Sequence, residues 1–324
     1  MEELLSIVVP CYNEETTVLR FYQRITEIID GMTISFPSIR YEILFIDDGS
    51  TDKTVSVMKE CYQQDERVRY VILSRNFGKE AAIYAGLQKS KGDYVVTMDV
   101  DLQDPPELLP DMLQCIMSGE YDTVATRRVN RKGEPRIRSF FARMFYKIMN
   151  RISETEIVDG ARDYRMMSRQ VVDSVLEIGE YNRFTKGIYG WVGYRTKWLE
   201  FEHVERVAGE TKWSFWKLCR YAIDGITAYS TVPLAFATFM GILISFAAVL
   251  AIAFIIVRKL LFGDPTSGWP SMVCIILFLG GIQLFAIGII GQYLAKTYLE
   301  TKKRPIYIAR EESQEVRHTV FTQN

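Results

Sequence analysis

Three carboxylates arrive together in the segment Asp99-Val100-Asp101-Leu102-Gln103-Asp104-Pro105-Pro106-Glu107. Just before them, residues 94–98 form a short apolar, β-branched run, the pattern of a buried strand. Side chains two apart on extended backbone point the same way, so Asp99 and Asp101 can converge on one point. Two carboxylates held that close repel unless a positive charge lies between them. Hard oxygen donors suit Mg²⁺ or Mn²⁺, which take few protein carboxylates and complete their shell with water and phosphate. The plain alternative is an acidic loop with no ligand. Its place at the carboxyl end of a strand, where open α/β sheets bind ligands, favours the metal.

The elements that position this segment follow from hydrophobic pattern. Residues 5–9, 41–46, 68–73, 94–98 and 123–126 read as strands, with helices over 14–29, 80–88 and from about 53 to 62. Alternating strands and helices imply a mostly parallel, doubly wound sheet whose polar strand ends share one edge. Several turns on that edge carry possible ligands. In Pro10-Cys11-Tyr12-Asn13-Glu14-Glu15, Tyr12 offers a flat face for a base and Asn13 can cap the following helix. Asp47 and Asp48 could accept hydrogen bonds from a base or a ribose, while Asp52 serves as a helix cap. Gly78 and Lys79, ahead of a helix N-terminus, favour an anion such as a diphosphate. There is no G-x-G-x-x-G and no Walker motif.

Past the fifth strand runs a basic belt: Arg127, Arg128, Arg131, Lys132, Arg136, Arg138, Arg143, Lys147 and Arg151. Most of such a run is a solvated face. Beside a membrane it could also hold a lipid phosphate, with Arg127 the first choice for bidentate contact and Arg138 the second. Asp163, ahead of an apolar run, is either a base or a partner for Arg162 or Arg165. The Gly209-Glu210-Thr211-Lys212-Trp213 loop could close over a diphosphate.

The 324 residues divide unevenly in charge. Lys and Arg total 39 against 40 for Asp and Glu, which argues neither for nor against nucleic acid; none is expected as a partner. Residues 232–257 and 270–295 are nearly uncharged, each longer than the about 20 residues a bilayer crossing needs. Lysine and arginine flanking the pair outnumber those in the turn between, which places the large domain and both termini on the cytoplasmic side. Gly241 and Ser245 make a small-xxx-small pair that could support self-association into a homo-oligomer. Upstream, Trp213, Trp216, Cys219, Ile223 and Ile226 recur at helical spacing opposite Lys217, Arg220 and Asp224, as on an interfacial helix. The five cysteines are scattered and form neither a disulfide framework nor a zinc motif. His203 and His318, the two histidines, sit in no triad motif. No signal peptide is expected, since Met1-Glu2-Glu3 lacks a basic leader.

Taken in order, these motifs resemble a family 2 glycosyltransferase of the GT-A fold. More narrowly they resemble the bacterial polyprenyl-phosphate β-glycosyltransferases, relatives of dolichyl-phosphate mannose synthase. The likeness runs through Ile7-Val8-Val9-Pro10-Cys11-Tyr12-Asn13-Glu14, Asp47-Asp48-Gly49-Ser50, Ser74-Arg75-Asn76-Phe77-Gly78-Lys79, the acidic segment, Ala125-Thr126-Arg127-Arg128, the 209–213 loop and the two spans. The acidic segment is the most specific, with Val100 in place of the usual alanine. The resemblance implies an α/β, Rossmann-like GT-A domain over 1–208, an interfacial segment over 209–230, two transmembrane helices over 231–297 and a cytoplasmic tail over 298–324. It also implies a multi-pass enzyme of the bacterial cytoplasmic membrane, moving a hexose such as glucose from a UDP-sugar to polyprenyl phosphate. Pro10, Tyr12, Glu14 and Asp48 would hold the uridine, with Asn13 and Asp47 beside them and Gly78 and Lys79 near the diphosphate. Asp99, Asp101 and Gln103 would carry Mg²⁺ or Mn²⁺. Arg127, Arg138 and Lys212 would bind phosphate, and Asp163 matches the carboxylate in the base position. Rivals are a processive polysaccharide synthase, whose Q-x-x-R-W motif and further spans are not found here, and a non-catalytic, membrane-tethered nucleotide-sugar binder.

Overall fold

The computed structural model describes residues 2–129, 150–151, 158, 160–201, 227, 230–262 and 268–313. The chain separates into two compact units. The first comprises Met1–Arg151, Thr155–Phe215 and Arg304–Asn324; the second is built on Trp216–Lys303.

The first unit is a sheet covered by helices. Its elements are β1 (Glu3–Cys11), α1 (Val18–Ser35), β2 (Ile39–Asp47), α2 (Thr54–Gln64), β3 (Val68–Leu73), α3 (Lys79–Lys89), β4 (Tyr94–Thr97), α4 (Leu109–Met117), β5 (Thr123–Arg128), β6 (Ala161–Ser168), α5 (Arg169–Glu177), α6 (Thr185–Trp191) and β7 (Thr196–Phe201). The sheet order is β7-β5-β6-β4-β1-β2-β3-β8, where β8 is Ala309–Glu312. β1, β2, β3 and β4 are mutually parallel, as are β5 and β7, while β6 and β8 run antiparallel to their neighbours. The result is the α/β class expected, with a mixed rather than purely wound far half.

Packing explains the order. β1 and β2 bury Ile7, Val8, Val9, Ile43, Leu44, Phe45 and Ile46 on both faces, the composition of central parallel strands. Each such side chain contributes on the order of 1.5–3 kcal/mol by leaving water. α1 presses Phe21, Ile25 and Ile29 onto one face, with Phe21 edge-on to Phe45 at 6.2 Å. This helix starts at Val18 rather than Glu14. Asn13 does not cap it: its backbone takes φ 54, and its Oδ1 accepts the Thr51 N–H at 2.8 Å. Three further strands, β6, β7 and β8, went unread. β6 is charged at Arg162, Asp163 and Arg165, and β8 comes from the segment expected to be a tail. β8 is fastened to β3 by Tyr70 Oη donating to Glu311 at 3.0 Å and to α2 by the Lys59–Glu311 pair at 2.6 Å.

The second unit contains α7 (Val232–Phe262) and α8 (Trp269–Thr301). Their windows Val232–Ile255 and Ile275–Thr301 are long and apolar enough to cross a membrane. Phe239, Phe246, Phe254, Leu277 and Leu284 project outward from them, the reverse of a soluble core.

Candidate active site

The cavity lies at the carboxyl ends of β1, β2 and β4, and it is about 290 Å³ in volume. Pro10, Tyr12, Glu14, Asp48, Gly78, Lys79, Asp99 and Asp101 line it, so these expected site residues meet in one place. Cys11, Asn76, Ala82 and Val100 complete the wall. Tyr12 is 43% exposed at the mouth, leaving its ring open to a flat ligand.

The turn after β2 is laced to its neighbours. Asp47 is fully buried and accepts the Ser50 N–H, closing its own turn, and it is not among the residues that line the cavity. Ser50 Oγ accepts the Asn13 N–H at 2.9 Å and Thr54 Oγ1 accepts the Glu14 N–H at 2.8 Å, which tie the β1 turn to the β2 turn. Asp52, one residue ahead of the Lys53 N-cap of α2, accepts the Thr54 N–H on Oδ1 at 3.0 Å. Asp48, expected to receive a base or ribose, lines the cavity. Its carboxylate also accepts the Phe77 N–H at 2.7 Å and the Gly78 N–H at 3.0 Å, so the amide foreseen for an anion is already engaged. Burial raises the pKa of both Asp47 and Asp48, although these hydrogen bonds pull the other way.

β4 ends at Thr97, and Asp99 and Asp101 reach the cavity through a turn rather than by strand alternation. Leu102 at φ 55 bends that turn, and the Gln103 N–H donates to Asp101 Oδ1 at 3.2 Å. Gln103 itself is not on the cavity wall described. Asp163 arrives from the other side. Thr97 pairs with Arg165 in antiparallel register at the end of β4, and Asp163 lies two residues from Arg165 on β6. Thr97 Oγ1 donates to the Asp163 carbonyl, pinning the juxtaposition.

Between the two carboxylates stands Lys79. Its Nζ is 2.6 Å from Asp99 Oδ1 and 2.5 Å from Asp163 Oδ2. Lys186 approaches Asp163 at 3.7 Å and donates to the Ala161 carbonyl at 2.9 Å. Asp163 therefore pairs with these lysines rather than with Arg162 or Arg165. Burial alone would lift the Asp163 pKa, but the charges of Lys79 and Lys186 prevail and hold it well below the usual carboxylate range. Arg162 Nε instead binds Asp104 at 2.7 Å. Burial pushes Asp104 up to about 6 against that pairing, and its Oδ2 has no partner. Arg165 is buried between Tyr189 and Trp198, 4.4 Å and 5.3 Å from their ring centres. Lys186 and the Arg162–Asp104 pair were not singled out from sequence, since only the fold brings them to the site.

Arg127, the first choice for a phosphate, is bound to Glu200 on the neighbouring β7. Arg138, Lys212, the 209–213 loop, residues 214–226 of the interfacial segment and both histidines lie outside the described residues. Among the described residues no three of His, Cys, Asp and Glu form a ready metal cage. Asp99 and Asp101 still suit Mg²⁺ or Mn²⁺, because such ions are commonly held by one or two carboxylates together with substrate phosphates.

A family model described as glycosyl transferase family 2 matches residues 6–176. A bactoprenol glucosyl transferase of Shigella phage SfV is 41% identical over 310 residues, 96% of this chain and 99% of the relative. A prophage bactoprenol glucosyl transferase homolog of Escherichia coli K12 is 41% identical over 306 residues, 94% of this chain and 98% of the relative. A glucosyl-3-phosphoglycerate synthase from Mycobacterium tuberculosis, crystallised with Mn²⁺, UDP-glucose and phosphoglyceric acid, aligns at TM-score 0.47 and 20% identity, over 69% of this chain and 78% of that one.

Proposed function

This chain belongs to glycosyl transferase family 2, and we propose that it moves glucose from UDP-glucose to a polyprenyl phosphate. The observation that carries this reading is the near full-length identity to bactoprenol glucosyl transferases, which extends over the acidic turn and the apolar helices alike. The cavity supports it: a nucleotide would lay its base on Tyr12 beside Pro10 and point its diphosphate at Asp99 and Asp101. Those two carboxylates, with Gln103 beside them, would hold Mg²⁺ or Mn²⁺. When bound there, the ion supplies Lewis-acid neutralisation of the departing diphosphate.

The chain's own residues do the rest. Lys79, paired with Asp99 on the cavity wall, would face the charge that develops on the leaving UDP. The acceptor oxygen belongs to a phosphate monoester already ionised near neutral pH, so no strong base is needed. Asp163, kept ionised by Lys79 and Lys186, is a weak proton acceptor and acts by orienting the lysines and the acceptor phosphate. A new bond forms from the acceptor oxygen to the anomeric carbon while the bond from that carbon to the UDP oxygen breaks. Attack opposite an α-linked leaving group inverts the centre and leaves a β-linked glucosyl phospholipid. Arg127, released from Glu200, together with Arg138 and Lys212, would receive the acceptor phosphate and the diphosphate. α7 and α8 would anchor the enzyme in a bacterial cytoplasmic membrane, with the sheet unit and both termini in the cytoplasm.

The test is direct. Membranes carrying the chain are incubated with labelled UDP-glucose, UDP-galactose or UDP-N-acetylglucosamine and then extracted with organic solvent. Label should enter the lipid phase from UDP-glucose. Transfer from another sugar alone would overturn the donor assignment, and no lipid label from any would overturn the reaction.

A further inference from the structure

Lys79 occupies the place of a cation in an acidic site. Its ammonium is 2.6 Å and 2.9 Å from the two oxygens of Asp99, so both are committed to it. The same ammonium reaches Asp163 at 2.5 Å. Without it the two facing carboxylates would repel across the cavity. The Lys79 side chain is 45% exposed and its stem is flexible, so the ammonium can swing away with no change in backbone.

Its departure would not leave Asp163 bare. Lys186 stands 3.7 Å from that carboxylate and is steadied by the Ala161 carbonyl. The preceding residue, Thr185, donates its N–H to Glu80 at 3.0 Å and its hydroxyl to the same carboxylate. Glu80 is the chain neighbour of Lys79, so α3 and α6 are clasped at the point where both lysines meet Asp163. Among the described residues Asp99 has no second ion pair: the guanidinium of Arg162 acts on it but is bound to Asp104, so on release by Lys79 it faces the cavity beside Asp101.

We propose that Lys79 is a resident counter-ion that competes with a divalent cation for Asp99 and yields it when a diphosphate arrives to receive the ammonium. The inference rests on the assignment of Asp99 and Asp101 as the metal-holding pair. In the empty cavity, an entering divalent ion must expel the ammonium from Asp99 and leave it Asp163 alone. With a diphosphate present, Lys79 exchanges one pair of anionic oxygens for another. Cation and nucleotide therefore bind cooperatively, with Lys79 carrying the coupling, and each raises the affinity of the other by the same factor. The device keeps Asp99 and Asp163 compensated between turnovers and keeps the cation weakly held until the donor is present.

The experiment measures Mn²⁺ binding by electron paramagnetic resonance on the full chain in detergent, with and without UDP. Lys79→Met should bind Mn²⁺ about fivefold more tightly than wild type without nucleotide, the scale of a partly exposed ion pair. The enhancement of Mn²⁺ affinity by UDP should shrink by a similar factor. Lys79→Arg, which keeps the competing charge, should stay close to wild type. Nucleotide-free affinity that does not rise in Lys79→Met, or an undiminished UDP enhancement, overturns the proposal. Asp101→Asn separates the two assignments. If it loses Mn²⁺ while Lys79→Met behaves as wild type, only the counter-ion role fails; if it binds Mn²⁺ as well as wild type, the metal assignment itself fails.

Discussion

Replacing Gly49 with alanine should destabilise the sheet unit and weaken nucleotide binding together. Gly49 lies at φ +71 in the turn after β2, a conformation that costs an L-residue about 1–2 kcal/mol. A Cβ there would fall 2.4 Å from the Arg75 carbonyl carbon and 2.6 Å from the Asn76 nitrogen. Both are backbone atoms that no side-chain rotation can clear, and relieving the overlap adds about 1–3 kcal/mol. The strand of chain that must give is the one whose Phe77 and Gly78 amides are held by Asp48. Gly119 is the control: it has φ +73 with nothing within 4 Å of an added Cβ, so it carries the backbone cost alone. At roughly 2–4 °C per kcal/mol, melting of the full chain in detergent should drop by about 6–15 °C for Gly49→Ala and about 3–6 °C for Gly119→Ala. UDP affinity should fall only in the first. Equal melting losses, or unaltered UDP binding in Gly49→Ala, would refute the close approach of the two turns.

Three other perturbations probe separate parts of the account. Asp101→Asn should cut glucose transfer by about 10²-fold or more with little change in melting temperature, since its loss falls on charge stabilisation; near-normal transfer would remove Asp101 from the site. Asp163→Asn should cost about tenfold, and the wild-type rate should show no acid limb from this group between about pH 5 and 8, because Lys79 and Lys186 outweigh burial and keep it ionised. A loss of about 10³-fold with a matching limb in the pH profile would instead identify a general base. Away from the site, Asp65 is lowered in pKa because Arg67 and the Tyr22 hydroxyl outweigh its burial. Its folded pKa lies below its unfolded value, so its stabilisation is present above about pH 4 and is lost as the pH falls further. The melting gap between wild type and Asp65→Asn should narrow from pH 5 to pH 3, and a constant or widening gap would contradict the pairing.

What could be read from sequence was local. β1 to β5 are apolar runs broken by polar turns, and the observed strands bracket the expected ones within about two residues, except that β4 stops at Thr97. β6 escaped because Arg162, Asp163 and Arg165 interrupt its pattern. Their burial is compensated by Asp104, Lys79 and two aromatic rings from distant parts of the chain. β8 escaped because four residues beyond a long apolar helix carry little signal until β3 offers an edge. In the site, side-chain identity pointed to Asp99 and Asp101. The partner of Lys79 on β6 is 84 positions away in sequence, and no periodicity connects them. Asp48 shows the same limit: its position in the turn was legible, but not that its oxygens would serve the chain's own amides.

One glucose should pass from UDP to a lipid phosphate for each UDP released. Purified chain is mixed with UDP-glucose, undecaprenyl phosphate and Mn²⁺, and released UDP and glucosylated lipid are counted together by mass spectrometry, with and without excess EDTA. Equal amounts of the two products, a β-configured lipid-linked sugar and arrest by EDTA are expected. Release of UDP with no glucosylated lipid, or undiminished transfer in EDTA, would contradict it.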